Sequence, residues 1–229
     1  MDKVKGIAII IIAIVSVIVT VLVANVLLDT TGKVNQGNYR ISDVIVRSSA
    51  DVKEVQDENV ELTKLSDMIF DITQTNQISI LIDPNVKANN IRIENLMVSD
   101  PILRGKMEIY QNEDKKYDIT PELKSIELDL EQENEKYVLN LYINNKDVLT
   151  GQRVAENVET IQYDATMFKT LGIDISSLKF NVSFDLLITD EAGNTVKTTI
   201  ALNMPTEETV EKGMSILKQD TSDYIFTII

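Results

Sequence analysis

Hydrophobic and polar positions divide the chain into two unequal regimes. From Gly6 to Leu28 no residue is charged, and only Ser16, Thr20 and Asn25 are polar. These 23 residues reach about 34 Å as a helix at about 1.5 Å per residue, enough for a hydrocarbon core of about 30 Å. The pattern predicts a transmembrane helix over 6–28. Lys3 and Lys5 precede it, and basic flanks stay cytoplasmic, so residues 1–5 read as a cytoplasmic stub with the remainder outside the membrane. A cleaved signal peptide has a shorter apolar core and a small-x-small site. Here Leu22 stands two residues before Ala24.

Beyond Leu28 the period changes. Residues 29–38 carry two glycines and no apolar pattern, and read as a flexible stem. Tyr39–Arg47 is rich in β-formers and predicts a first strand. Val52, Val55, Asn59 and Leu62 fall at helical spacing with Ser48 as a cap, so 48–66 reads as a short amphipathic helix or a charged loop. Met68, Phe70 and Ile72 alternate, Gln74–Gln77 reads as a turn, and Ile78, Ile80 and Ile82 alternate again up to Asp83-Pro84-Asn85. Ile91 and Ile93 predict another strand ended by Pro101, and Met107 with Ile109 a further short one.

The second half alternates more strictly. Ile126, Leu128 and Leu130 interleave with Glu127, Asp129 and Glu131, followed by a polar turn and Tyr137, Leu139, Leu141 and Ile143. The expectation is a hairpin with one apolar face. Asp164 to Gly172 predicts a two-turn helix, capped by Asp164 and ended by a left-handed Gly172. Phe180, Val182, Phe184, Leu186 and Ile188 occupy every second position, with Asn181, Ser183 and Asp185 between them. Asp190–Asn194 fits a type I turn with a bulge glycine, Val196, Thr198, Ile200 and Leu202 return, and Tyr224–Ile229 predicts a last strand. The fold class is mainly β: an N-terminal transmembrane helix, then an antiparallel β-sandwich of Ig-like architecture over 39–229. It has roughly eight to eleven strands and one or two short helices. Residues 111–122 are the candidate boundary between two subdomains.

Composition narrows the chemistry. The chain has 229 residues, a net charge of −14, and no Cys, His or Trp. An acidic surface repels nucleic acid, so no nucleic-acid partner is expected. Without Cys there is no disulfide, thiol chemistry or lipidated N-terminal cysteine. Without His there is no Ser-His-Asp triad and no His-ligated metal. A cysteine-free domain outside the membrane, with abundant Ile, Lys and Asn, points to a prokaryote.

The remaining chemical candidates each have a plainer reading. Glu127, Asp129, Glu131, Glu133 and Glu135 are oxygen ligands in type, but three of them alternate with apolar residues as a solvated strand face does. Asp190, Glu191 and Asn194 are ordinary turn residues. Ser125 beside Lys124, and Ser215 near Lys212, lack an S-x-x-K or glycine-elbow setting. Asn181-Val-Ser183 is a glycosylation sequon in mid-strand. No catalytic, cofactor-binding or metal residue is assigned, and no cofactor is expected. The expected function is a non-enzymatic, membrane-anchored binding or assembly module of the cell envelope. Its partners are the bilayer, through 6–28, and other envelope proteins. A carboxylate-only enzyme is the third and least supported class.

Lys5-Gly6 followed by a long apolar run resembles the processing site of pilin-type precursors, especially the archaeal kind. The resemblance covers about the first 28 residues. It departs from the bacterial pattern, since Ile11 stands where the mature fifth-position Glu would be. It implies the alternative function: a pilin- or archaellin-like filament subunit whose apolar helix forms the filament core.

Overall fold

The computed structural model describes residues 37–55, 67–99, 105–112, 114–154 and 167–229. The expected transmembrane helix, residues 29–36 of the stem, Pro101, Asp164 and the 56–66 part of the expected helix or loop lie outside them. Among the described residues no helix is long and apolar enough to cross a membrane.

Among the described residues, twelve strands form two antiparallel sheets. The larger sheet contains β1 (Tyr39–Val55), β2 (Ile69–Pro84), β4 (Lys106–Tyr110), β5 (Lys116–Asp118), β7 (Glu131–Glu133), β8 (Lys136–Arg153) and β11 (Met214–Gln219). Its order is β11-β1-β2-β8-β4-β5, with β7 paired to β8. The smaller contains β3 (Ala88–Ser99), β6 (Ser125–Leu128), β9 (Asn181–Asp190), β10 (Thr195–Asn203) and β12 (Thr227–Ile228), in the order β12-β10-β9-β3-β6. Strands from either side of residues 111–122 thus lie next to one another in both sheets.

The two sheets face each other across one core. Val44, Val46, Ile78, Ile80, Ile82, Leu139, Leu141 and Ile143 from the larger sheet meet Ile91, Ile93, Val182, Phe184, Leu186, Ile188 and Ile200 from the smaller. The predicted row from Phe180 to Ile188 is buried throughout, as is its partner row Val196, Thr198, Ile200 and Leu202. The hairpin joining them is the expected one. Gly193 donates to the Asp190 carbonyl at 3.1 Å with φ +86. Open space surrounds the place where a Cβ would sit, so the backbone alone decides the effect of a side chain there. Gly193→Ala is expected to cost about 1–2 kcal/mol, the left-handed penalty for an L-residue, measured as a lower denaturant midpoint with an unchanged slope.

Four expectations are corrected. Residues 48–55 are strand, neither helix nor loop: β1 runs on to Val55 and pairs with β2 as far as Val55↔Ile69. The 3-4 spacing was outweighed by a ready partner strand, as tertiary pairing commonly overrides local propensity. Gln74–Gln77 is not a turn, because β2 passes straight through it. The Ile126 and Tyr137 rows do not form a hairpin. Ile126 and Leu128 belong to β6 and pair with β3 in the smaller sheet, while Tyr137 to Ile143 belong to β8 in the larger. The chain changes sheet at Asp129-Leu130, which leaves Leu130 37% exposed. The hairpin partner of β8 is instead the all-acidic-and-amide β7, joined by Asn134 and Glu135, both at positive φ. The last strand is shorter than Tyr224–Ile229, spanning Thr227–Ile228.

The larger sheet outreaches the smaller. Beyond the start of β9 its inner face is covered by chain from α1 (Met167–Thr170) through a 3-10 turn (Ile175–Leu178). There Phe70, Ile72, Val148, Phe168, Leu171 and Leu178 make a second core. Gly172 (φ +62) ends α1 as the sequence predicts, its N–H bonding the Lys169 carbonyl at 3.0 Å.

Candidate functional site

The acidic candidates are dispersed by the fold. Glu127 lies on β6 and accepts from the Asn90 amide. Asp129, in the connection between the sheets, pairs with Lys115 at 3.2 Å, and its backbone is held by Gln111 at both N–H and C=O. Glu131, Glu133 and Glu135 are exposed along β7 and its turn in the other sheet. Asp190 accepts from the backbone and side-chain nitrogens of Asn194 at 2.8 and 2.9 Å, bonds that hold its carboxyl below the ordinary carboxylate range. Glu191 pairs with Lys87 at 2.7 Å. Among the described residues no three acidic groups converge as metal ligands would.

The serine–lysine candidates are not dyads. Ser125 and Lys124 are both exposed. Ser215 is buried and engaged locally, accepting from Glu208 N–H at 2.8 Å and lying 3.0 Å from Thr209 Oγ1. Lys212 instead pairs with Glu208 at 2.6 Å. Asn181 and Ser183 of the sequon are half-buried on the outer face of β9.

Two polar constellations were missed by the sequence reading. The first is a belt on the inner face of the larger sheet, made of Ser48, Gln74, Asn76 and Asn145, all fully buried. It spans β1, β2 and β8 through the pairs Ser48↔Asn76 and Gln74↔Asn145. Its place explains its chemistry. At this level the covering layer changes from paired strand to irregular chain, and irregular chain leaves carbonyls unpaired. Gln74 Nε2 donates to the Leu178 carbonyl at 3.0 Å, and Asn76 Nδ2 to the Ile143 carbonyl at 3.3 Å. The signal was available: 74 and 76 share the parity of Phe70, Ile72, Ile78, Ile80 and Ile82.

The second is Asp185 on the outer face of β9, only 8% exposed. It accepts from Thr199 Oγ1 at 2.6 Å, Asn95 Nδ2 at 2.8 Å and Lys197 Nζ at 3.3 Å. Asn95 has φ +53 and sits in the register shift of β3 between Glu94 and Met97, so Asp185 fixes a β-bulge.

A crevice of ≈ 460 Å³ runs between the start of β1 and residues 221–226. At its wall Tyr39 is 5% exposed and meets Phe226 edge-on at 6.1 Å, while its hydroxyl has no hydrogen-bond partner among the described residues. Burial, then the Asp190 charge and Tyr137, push this phenol up to about 12. A raised native value means that the stability it carries is present below the unfolded value near 10 and is lost as pH climbs toward 12. Tyr39→Phe removes the orphan hydroxyl. It is expected to raise stability by about 1 kcal/mol and to flatten the alkaline decline, read from melts across pH 9–12.

The chain matches no protein-family model, no curated protein and no solved structure.

Proposed function

We infer that the chain is a non-enzymatic binding or assembly module of the cell envelope, an Ig-like sandwich carried outside the membrane by the apolar segment 6–28. The observation that carries this reading is the strand order. Lettered along the chain as A, B, C, D, E, F and G, strands β1, β2, β3, β4, β8, β9 and β10 give A-B-E-D facing G-F-C, the arrangement of constant-type Ig domains. That architecture recurs in cell-surface domains, where faces and end loops make the contacts and the interior is packed core. The fate of the polar groups supports it: the candidate carboxylates are engaged by lysines, amides and turn backbone or sit on solvated strands. The stem enters at one end of the sandwich, where Asn85 N–H bonds the Asn38 carbonyl at 2.8 Å and the Asn85 side chain bonds that of Gly37.

Two measurements test the reading. Protease added to intact spheroplasts should digest the domain beyond Asp29, and full protection would refute the orientation. Cross-linking in native membranes followed by mass spectrometry should recover a constant set of envelope proteins, and a partner set that changes with each preparation would refute the assembly role. Intact mass of the purified chain separates the anchor from the filament subunit: an anchor keeps the residues before Gly6, whereas a filament subunit loses its first six residues and polymerises.

A further inference from the structure

Gln74 and Asn145 face one another across β2 and β8, both fully buried. Residues so paired hold their Cβ atoms about 4.5–5.5 Å apart on one face of the sheet. Their amides nevertheless do not bond each other. Gln74 Nε2 is shared among Ser48 Oγ at 3.1 Å, Asn76 Oδ1 at 3.5 Å and the Leu178 carbonyl at 3.0 Å, while Gln74 Oε1 has no partner among the described residues. Asn145 has no partner among the described residues at either Nδ2 or Oδ1. Backbone closes the space on one flank, since a Cβ on Gly105 would stand 2.4 Å from Asn145 Oδ1 and 2.0 Å from the Lys146 carbonyl. On another, β8 bulges: Ile72 pairs with Leu149 and Gln74 with Asn145, so the ladder is interrupted beside the two amides.

Buried amide groups in native proteins are paired, and one left alone is costly. The unpaired set here is mixed, two carbonyl oxygens and one amide nitrogen. A cation would satisfy the oxygens and oppose the nitrogen, and an anion would do the reverse. A water molecule donates twice and accepts, so it suits both. Sites that are polar on several sides are the ones that hold internal water. We propose that the belt binds internal water between Gln74 Oε1 and the Asn145 amide, so that the seam between the two cores is closed by solvent as well as by side chains. The rest of the belt is already satisfied by Ser48, Asn76 and Leu178, which places the water on the β8 side.

The test uses the full chain. A crystal structure at a resolution where ordered waters are visible should show density within hydrogen-bond reach of both Gln74 Oε1 and Asn145. A direct Gln74–Asn145 hydrogen bond with nothing between them would overturn the proposal. Oxygen-17 relaxation dispersion of water provides an independent reading in solution. The folded wild type should show long-lived internal water, and the Gln74→Met/Asn145→Leu double variant should lose at least one such molecule. A folded double variant with undiminished dispersion would also overturn it. If that variant fails to fold, the density in the wild-type structure decides alone.

Discussion

Phe184→Ala is expected to remove about 3–5 kcal/mol, the usual range for truncating a buried phenylalanine. Phe184 is 1% exposed at the middle of β9. That strand is the third of five in the smaller sheet, with β10 on one side and β3 on the other. Its cross-strand partner Ile200 is fully buried, and the larger sheet lies opposite, so the cavity has no flexible neighbour to collapse into. A loss of this size is a large share of a domain stability of about 5–15 kcal/mol. Ser183→Ala, one residue away on the half-buried outer face, is expected to change stability by about 0.5 kcal/mol or less. Both are read from urea melts with the slopes compared. Equal losses at the two positions would mean that the outer face is covered as tightly as the inner one, and would remove the one-sided core from the argument.

The sequence made this row legible because apolar and polar residues alternate without interruption from Phe180 to Leu186, and a one-residue slip would expose all of them. Leu187 departs from the rule: it points outward yet is 2% exposed. Its cross-strand neighbours are Arg92 and Lys197, whose long aliphatic stems suit such a cover. The same alternation misled elsewhere. Gln74 and Asn76 continue the inward parity of β2 in polar letters, and a polar tetrad between two apolar runs looks like a turn until the chain crossing above it is known. The partner of β6 was likewise hidden. Alternation specifies which face of a strand is buried, not which sheet supplies its neighbour, and the switch between sheets at Asp129 rests on Gln111, Asn112 and Lys115, 14–18 residues upstream. In β1 the inward set changes from Tyr39 and Ile41 to Val44 and Val46 across a bulge. Beyond Val46 the inward parity continues in Ser48 and Ala50, a polar and a small residue that carry no apolar period, which is why the strand's far half read as helix or loop. As for function, the fold explains why the candidate groups lie apart. Sequence proximity put Ser215 near Lys212 and the five acids in one run, whereas Lys212 ends the helical turn Thr209–Lys212 and Ser215 lies on β11, and β6 and β7 belong to opposite sheets.

Asp185→Ala is the second large effect, and its pH dependence identifies the cause. The carboxylate gathers Thr199, Asn95 and Lys197, which are themselves exposed or half-buried, so its removal hands these donors to water and releases the bulge that Asn95 shapes. The expected loss is about 1.5–3 kcal/mol, the range for hydrogen bonds to a charged group. Burial by itself would raise this carboxyl. The hydrogen bonds from Thr199, Asn95 and Lys197, with the Lys197 charge, outweigh burial and hold it below the ordinary carboxylate value of 3.8. A depressed native value fixes the sign: the unfolded chain takes up the proton first, so the stabilisation is full above the unfolded value and fades as pH falls through the native one. Wild type should therefore lose stability on acidification below about pH 4, together with contributions from Asp83, held down by Lys136 and Arg40, and Glu108, held down chiefly by Lys146. Asp185→Asn keeps the shape and an acceptor oxygen but no charge. It should cost less than alanine at pH 7 and should show a shallower acid limb than wild type. Melts of the three proteins from pH 2 to pH 7 separate the possibilities. If Asp185→Asn falls with acid as steeply as wild type, the charge on Asp185 is not what holds the bulge, and the hydrogen-bond geometry alone accounts for its burial.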